Sequence, residues 1–143
     1  MSEFKRKSES SSPLGKLDGA SVVIINYGAG NIKSIQFAFK RLGVDAVLSN
    51  NPEEILAADK IIFPGVGEAS TAMKMLKESG LDELIPKLKQ PVLGICLGMQ
   101  LMCKSTEEGN TTGLGIFQTD VKRFSNDLKV PQMGWNIIKN LKS

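Results

Sequence analysis

Apolar and polar positions take up a regular period only from Ser21 onward. Val22–Ile25 is a β-branched run closed by Asn26-Tyr27-Gly28, the pattern of a buried strand entering a turn. Ile32, Ile35, Phe39 and Leu42 recur at steps of three, four and three, which predicts a helical stripe closed by Gly43. Val44–Leu48 reads as a second strand and Ile61-Ile62-Phe63 as a third, stopped by Pro64-Gly65. Ala69, Ala72, Met73 and Leu76 mark a helical face ended by Gly80. Leu81, Leu84, Ile85 and Leu88 mark another, ended before Pro91. Val92-Leu93-Gly94-Ile95 reads as a fourth strand, and Leu97–Cys103 as the helix continuing from it. Strands alternating with helices predict βαβ units, and hence an α/β fold of three αβα layers around a mostly parallel sheet. Past Gly113 the character changes: Asp120–Phe124 and Val130–Ile138 read as strands with no long helix between them. There is no internal repeat.

Residues 1–20 stand apart, with five Ser, four Lys or Arg and three Asp or Glu among sparse apolar positions. Such a segment cannot offset its ordering entropy by burial, so a disordered polar tail is predicted there, ahead of one domain over 21–143. Glu3, Glu9 and Asp18 argue against a transit peptide, and no apolar core of a signal peptide is present. A natural extension or an expression leader is the simpler reading.

Composition narrows the chemistry. With 143 residues and 41% hydrophobic side chains, the chain has one domain's length and enough apolar material for a core. Eighteen Lys and Arg against fifteen Asp and Glu leave +3, without a basic stripe interleaved with aromatics, so nucleic acid is not an expected partner. No apolar run approaches the ~20 residues of a membrane span. Cys96 and Cys103 lie seven apart, and reduced thiols in a cytoplasmic protein are expected. There is no His at all. Any His-ligated metal site is thereby excluded from these residues, as is any Cys–His or Ser–His pair completed within them.

In an open parallel sheet, ligands bind beyond the carboxyl ends of the strands. Three predicted strand ends carry unusual turns: Asn26–Asn31, Pro64–Gly67 and Gly94–Gly98. In the last, Cys96 is flanked by glycines two residues away on each side and followed by a helix, the logic of a nucleophile elbow with Cys in place of Ser. A Cys there would meet helix N-terminal amides that favour its thiolate, and the Leu97 amide would face the oxyanion of an attacked carbonyl. The alternative is a buried Cys at a tight crossover. Cys103, in the apolar run Leu101-Met102-Cys103, reads as packing two turns down the same helix. The glycines of Pro64–Gly67 would let main-chain amides turn inward as oxyanion donors, or would simply end a strand. The Gly28–Asn31 loop resembles a phosphate-cradling turn, but it lacks the third Gly and later acid of a dinucleotide fingerprint. Asn31 reads equally as a helix N-cap.

Together these segments carry a resemblance. Gly94-Ile95-Cys96-Leu97-Gly98-Met99-Gln100 resembles the nucleophile motif of class I glutamine amidotransferases, whose fold is flavodoxin-like. Tyr27-Gly28-Ala29-Gly30-Asn31, Pro64-Gly65-Val66-Gly67 and Pro131-Gln132-Met133-Gly134-Trp135-Asn136 narrow it to the glutaminase subunits of imidazole glycerol phosphate synthases. The resemblance runs from about Ser21 to the end. It implies hydrolysis of glutamine to glutamate and ammonia, without metal or cofactor. The ammonia passes to a (β/α)8-barrel cyclase subunit that makes imidazole glycerol phosphate for histidine synthesis. It also implies Cys96 as the nucleophile forming a glutamyl thioester. Leu97, Val66 and Gly67 are then the oxyanion elements, Gly65 and Gln100 lie near the substrate, and Asn31, Met133 and Trp135 face the barrel partner.

Two departures are visible. The family's triad needs a His and a Glu two residues apart on a later strand, and these 143 residues contain no His and stop at Ser143 before it. The domain is therefore predicted to be C-terminally incomplete, and this stretch alone inactive. Gln132 stands where the family commonly has His, a position outside the triad. Two other readings remain open at this point: a non-catalytic module that docks on the barrel, and a DJ-1/PfpI-type cysteine-elbow protein. The latter usually places an acid near its Cys and lacks the Tyr27 and Pro131 segments.

Overall fold

The computed structural model of the chain describes residues 15–17, 19–131, 133–137 and 139. In chain order it comprises β1 (Gly15–Leu17), β2 (Ala20–Ile25), α1 (Ile32–Arg41), β3 (Val47–Ser49), α2 (Pro52–Ala57), β4 (Lys60–Phe63), α3 (Ala69–Glu78) and α4 (Leu81–Leu84). There follow β5 (Val92–Gly94), α5 (Leu97–Leu101), β6 (Cys103–Thr106), β7 (Thr111–Thr112) and β8 (Phe117–Val121). Strands β3, β2, β4 and β5 lie side by side and parallel. β1 pairs antiparallel with the start of β2, leaving the end of β2 to β3.

Both faces of the central strands β2 and β4 are covered, which is why they are apolar runs rather than alternations, while Leu48 of β3 and Leu93 of β5 at the two edges are exposed. Successive side chains point to opposite faces. Val23, Ile25, Ile61 and Phe63 therefore share one face, where α2, α3, α4 and α5 bring Ile55, Leu76, Leu81 and Leu101 into the core. Val22, Ile24 and Ile62 share the other, where Ile32, Ile35 and Phe39 of α1 pack. The predicted α/β architecture with helices on both sides of a mostly parallel sheet is the one observed.

Several elements differ from the sequence reading. Where the sequence predicts a tail to residue 20, Gly15–Leu17 form a strand, because the start of β2 offers an edge for the chain to fold back on. Residues 1–14 and 18 lie outside the described residues, as does Gln132. Helix α2 escaped the periodic pattern because it is six residues long and buries one side chain, Ile55. Asn51 caps it by accepting the Glu53 amide at 2.8 Å. Cys103 is not in the helix; α5 stops at Leu101, and Cys103 opens β6, pairing with Phe117. An apolar run of this length does not distinguish helix from strand. Cys103 is nonetheless buried. β6 heads a second sheet of order β7-β6-β8. The strand predicted at Asp120–Phe124 is shifted to Phe117–Val121, and Val130–Ile138 forms no strand among the described residues. Pro131 cannot donate to a ladder, and among the described residues no strand pairs with this segment.

Candidate active site

The turns following β2, β4 and β5 meet at the carboxyl edge of the main sheet. Ile95 continues β5 and donates its amide to Phe63 O at 2.9 Å. The chain then reverses through Cys96 at φ 53° and ψ −120°. Cys96 and Asn110 are the non-glycine residues with positive φ among the described residues. Such a conformation costs about 1–3 kcal/mol and persists only where its surroundings enforce it. Here they do. Leu97 is buried in the core, and Gly98 N–H donates to Ile95 O at 3.0 Å, closing the turn. The result lifts the Cys96 side chain out to solvent.

Glycine is required at this elbow by close approach. A Cβ on Gly98 would collide with Phe63 O and lie 2.8 Å from Pro64 O. From the opposite side, a Cβ on Gly65 would collide with Gly98 N and lie 2.8 Å from the Leu97 carbonyl carbon. The Pro64–Gly67 turn is thus pressed backbone to backbone onto the first residues of α5. Leu97 is the first residue of that helix, and its amide has no intrahelical acceptor. Beyond Gly65 the turn opens out: Val66 is 46% exposed and Gly67 has free space around it.

The remaining predicted residues are placed less tightly. Asn31 caps α1, accepting the Ser34 amide at 3.4 Å, at the end of a loop whose Gly30 packs on Pro64. Gln100 lies one turn along α5 and donates its backbone amide to Cys96 O at 3.2 Å. Gln100 also lines a cleft of about 570 Å³ that Cys96 does not line. Met133 and Trp135 are strongly solvent-exposed on the irregular chain after β8.

The structure adds residues that spacing did not suggest. The cleft beside Gln100 is walled by Glu107, Glu108, Lys122 and Arg123. Glu107 pairs with Lys122 at 3.6 Å and accepts the Arg123 amide at 2.8 Å; that amide bond foremost, and then Lys122, lowers its pKa. Glu108 reaches back to accept the Ala69 amide at 3.1 Å, tying the second sheet to the start of α3. Tyr27 is buried, and its hydroxyl donates to Pro64 O at 2.8 Å. Burial, and secondarily the neighbouring Cys96, push its pKa up to about 12. Neither Tyr27 nor the cleft carried a motif signal beyond the Tyr-Gly-x-Gly-Asn segment itself. Among the described residues, no group of three or more Asp, Glu or Cys side chains gathers to hold a metal ion, and no helix is long and apolar enough to cross a membrane.

A solvent-facing cysteine stands at a strained strand-to-helix elbow, over a parallel sheet with helices on both sides, and these features define an α/β protein of three layers. The chain belongs to the class-I glutamine amidotransferase family, whose sequence model matches residues 23–141. It is 62% identical over 125 residues to the imidazole glycerol phosphate synthase subunit HisH of Bacteroides fragilis, covering 85% of this chain and 64% of that protein. It is 58% identical over 120 residues to the same-named subunit of Bacteroides thetaiotaomicron, covering 82% and 61%. The chain thus spans less than two thirds of the length of these relatives. Among solved structures, a crystal structure of a glutamine amidotransferase superposes with a TM-score of 0.61 at 26% identity, covering 72% of this chain and 57% of that one.

Proposed function

We propose that the chain carries the nucleophile of a glutaminase that hydrolyses glutamine to glutamate and ammonia. The observation that carries this reading is the exposed Cys96 at its elbow, with the Pro64–Gly67 turn packed against it. The Cys96 thiolate attacks the side-chain carboxamide carbon, and the Leu97 amide faces the oxygen that becomes negative. Collapse expels ammonia, which takes up a proton, and leaves a thioester; water then cleaves the thioester to glutamate and the free thiol. The turn at Gly65, Val66 and Gly67 supplies a second oxyanion element. Gln100, one turn along α5 from Cys96, lies near the substrate in this reading. The relatives are named as a subunit of imidazole glycerol phosphate synthase, which supports a partner subunit; in this reading the ammonia passes to a (β/α)8-barrel cyclase subunit in cytoplasmic histidine synthesis, with Asn31, Met133 and Trp135 facing that partner. The strong exposure of Met133 and Trp135 suits such a surface before docking.

A polypeptide of these 143 residues has no imidazole to protonate the leaving ammonia or activate water. General acid–base help is worth ~10²–10⁴-fold, so this polypeptide is expected to turn over glutamine negligibly. The test measures glutamate release beside a barrel subunit, before and after fusing the portion of the Bacteroides fragilis relative that the match leaves uncovered. Turnover should be measurable only in the fusion and vanish with Cys96→Ser. Turnover surviving that substitution would refute the assignment, and Cys96-dependent turnover by the 143 residues would refute their inactivity.

A further inference from the structure

We propose that Tyr27 is a positioning residue for the oxyanion turn: its hydroxyl fixes the Pro64–Gly65 peptide against the Cys96 elbow. The proposal rests on Cys96 being the nucleophile. Tyr27 follows the end of β2 and is only 4% exposed. A buried phenol needs a hydrogen-bond partner, where a phenylalanine would fill the space without one. The partner lies 37 residues away: Pro64 O, at 2.8 Å. The ring itself is held by Phe63, centroid to centroid 5.5 Å and tilted by 59°.

That carbonyl is a consequential one to hold. Pro64 O and Gly65 N belong to a single planar peptide, so pinning the oxygen sets the plane in which the Gly65 amide lies. The same peptide is the one in backbone contact with Leu97 and Gly98. Hydroxyl, carbonyl and elbow therefore form one contiguous stack. Past Gly65 the restraint ends, since Val66 is exposed and Gly67, at φ 87°, is uncrowded. The turn has a fixed end and a free end, and Tyr27 holds the fixed one. With its pKa near 12, the hydroxyl remains a donor at every working pH.

The test compares two reagents on Cys96, in the full-length protein and its Tyr27→Phe variant. With iodoacetamide the sulfur displaces iodide from a saturated carbon, and no oxyanion forms. With p-nitrophenyl acetate the sulfur adds to a carbonyl, an oxyanion forms, and p-nitrophenolate leaves with the electron pair to give an acetyl thioester. Misplacing an oxyanion element should slow acetylation by about 10- to 100-fold while alkylation stays within about twofold. Replacing Tyr27 by p-aminophenylalanine, which restores a donor at the same place, should recover acetylation. Unchanged acetylation, an equal fall in both rates, or no recovery with the restored donor overturns the proposal. Cys96→Ser should abolish both modifications. A Cys96 that is unreactive in the parent protein would overturn the nucleophile assignment together with the role of Tyr27.

Discussion

Gly98→Ala sets two effects of opposite sign against each other. Gly98 lies inside α5, where alanine is intrinsically better than glycine by about 1 kcal/mol. The added methyl, however, would be driven into Phe63 O and stand 2.8 Å from Pro64 O and 2.9 Å from the Phe63 carbonyl carbon. These are backbone atoms at the end of β4 and cannot rotate away. Overpacking of this kind costs about 1–3 kcal/mol and sometimes more. Phe63 O also accepts the Ile95 amide at 2.9 Å, so pushing α5 off β4 weakens a bond worth about another 1 kcal/mol. The close approach should win, with a net loss of about 1–3 kcal/mol. For a chain of this size that corresponds to a fall in Tm of about 3–10 °C. Urea unfolding followed by circular dichroism reads the difference directly, and the m-value should not change. A variant as stable as the parent, or more so, would mean that helix propensity dominates and that the elbow is not packed onto β4 as described.

Other expectations concern ionisation. Tyr27 is the one tyrosine in the sequence, so the phenolate absorbance near 295 nm reports it alone. The folded midpoint should lie near 12, against about 10 in denaturant. Because the folded pKa is raised, the associated stability is full below about 10 and lost as pH rises through 12; a folded midpoint near 10 would refute burial of the phenol. Glu68 caps α3, accepting the Ser70 and Thr71 amides at 3.0 and 2.9 Å and the Ser70 hydroxyl at 2.6 Å. The Ser70 hydroxyl first, then the two amides, lowers its pKa to about 2. A lowered carboxylate pKa stabilises above the ordinary value near 4.5 and is lost as pH falls through 2. Glu68→Gln should therefore flatten the decline of stability over that window, as read by urea midpoints at successive pH values. An unchanged slope would show that the cap does not carry the titration.

Much of the site could be read from local pattern. Two glycines spaced around Cys96 after an apolar run announce a strand, a sharp turn and a helix, because the backbone cannot make that reversal otherwise. The alternation of strand and helix over residues 21–101 likewise points to a parallel sheet with covered faces, since the central runs Val22–Ile25 and Ile61–Phe63 are apolar on both sides. What a single chain trace cannot show is which distant atoms meet. That Gly98 faces the carbonyls of Phe63 and Pro64, and that the hydroxyl of Tyr27 ends on Pro64 O, follows from β2 and β5 flanking β4 in the sheet. The same holds for Cys103, which local periodicity put on a helix. Pairing with Phe117 made it a strand, because hydrogen bonds to a partner fourteen residues away outweigh a weak local preference. Local residue chemistry thus specified the bend and the cysteine it presents, while the order of the strands decided what the bend is pressed against.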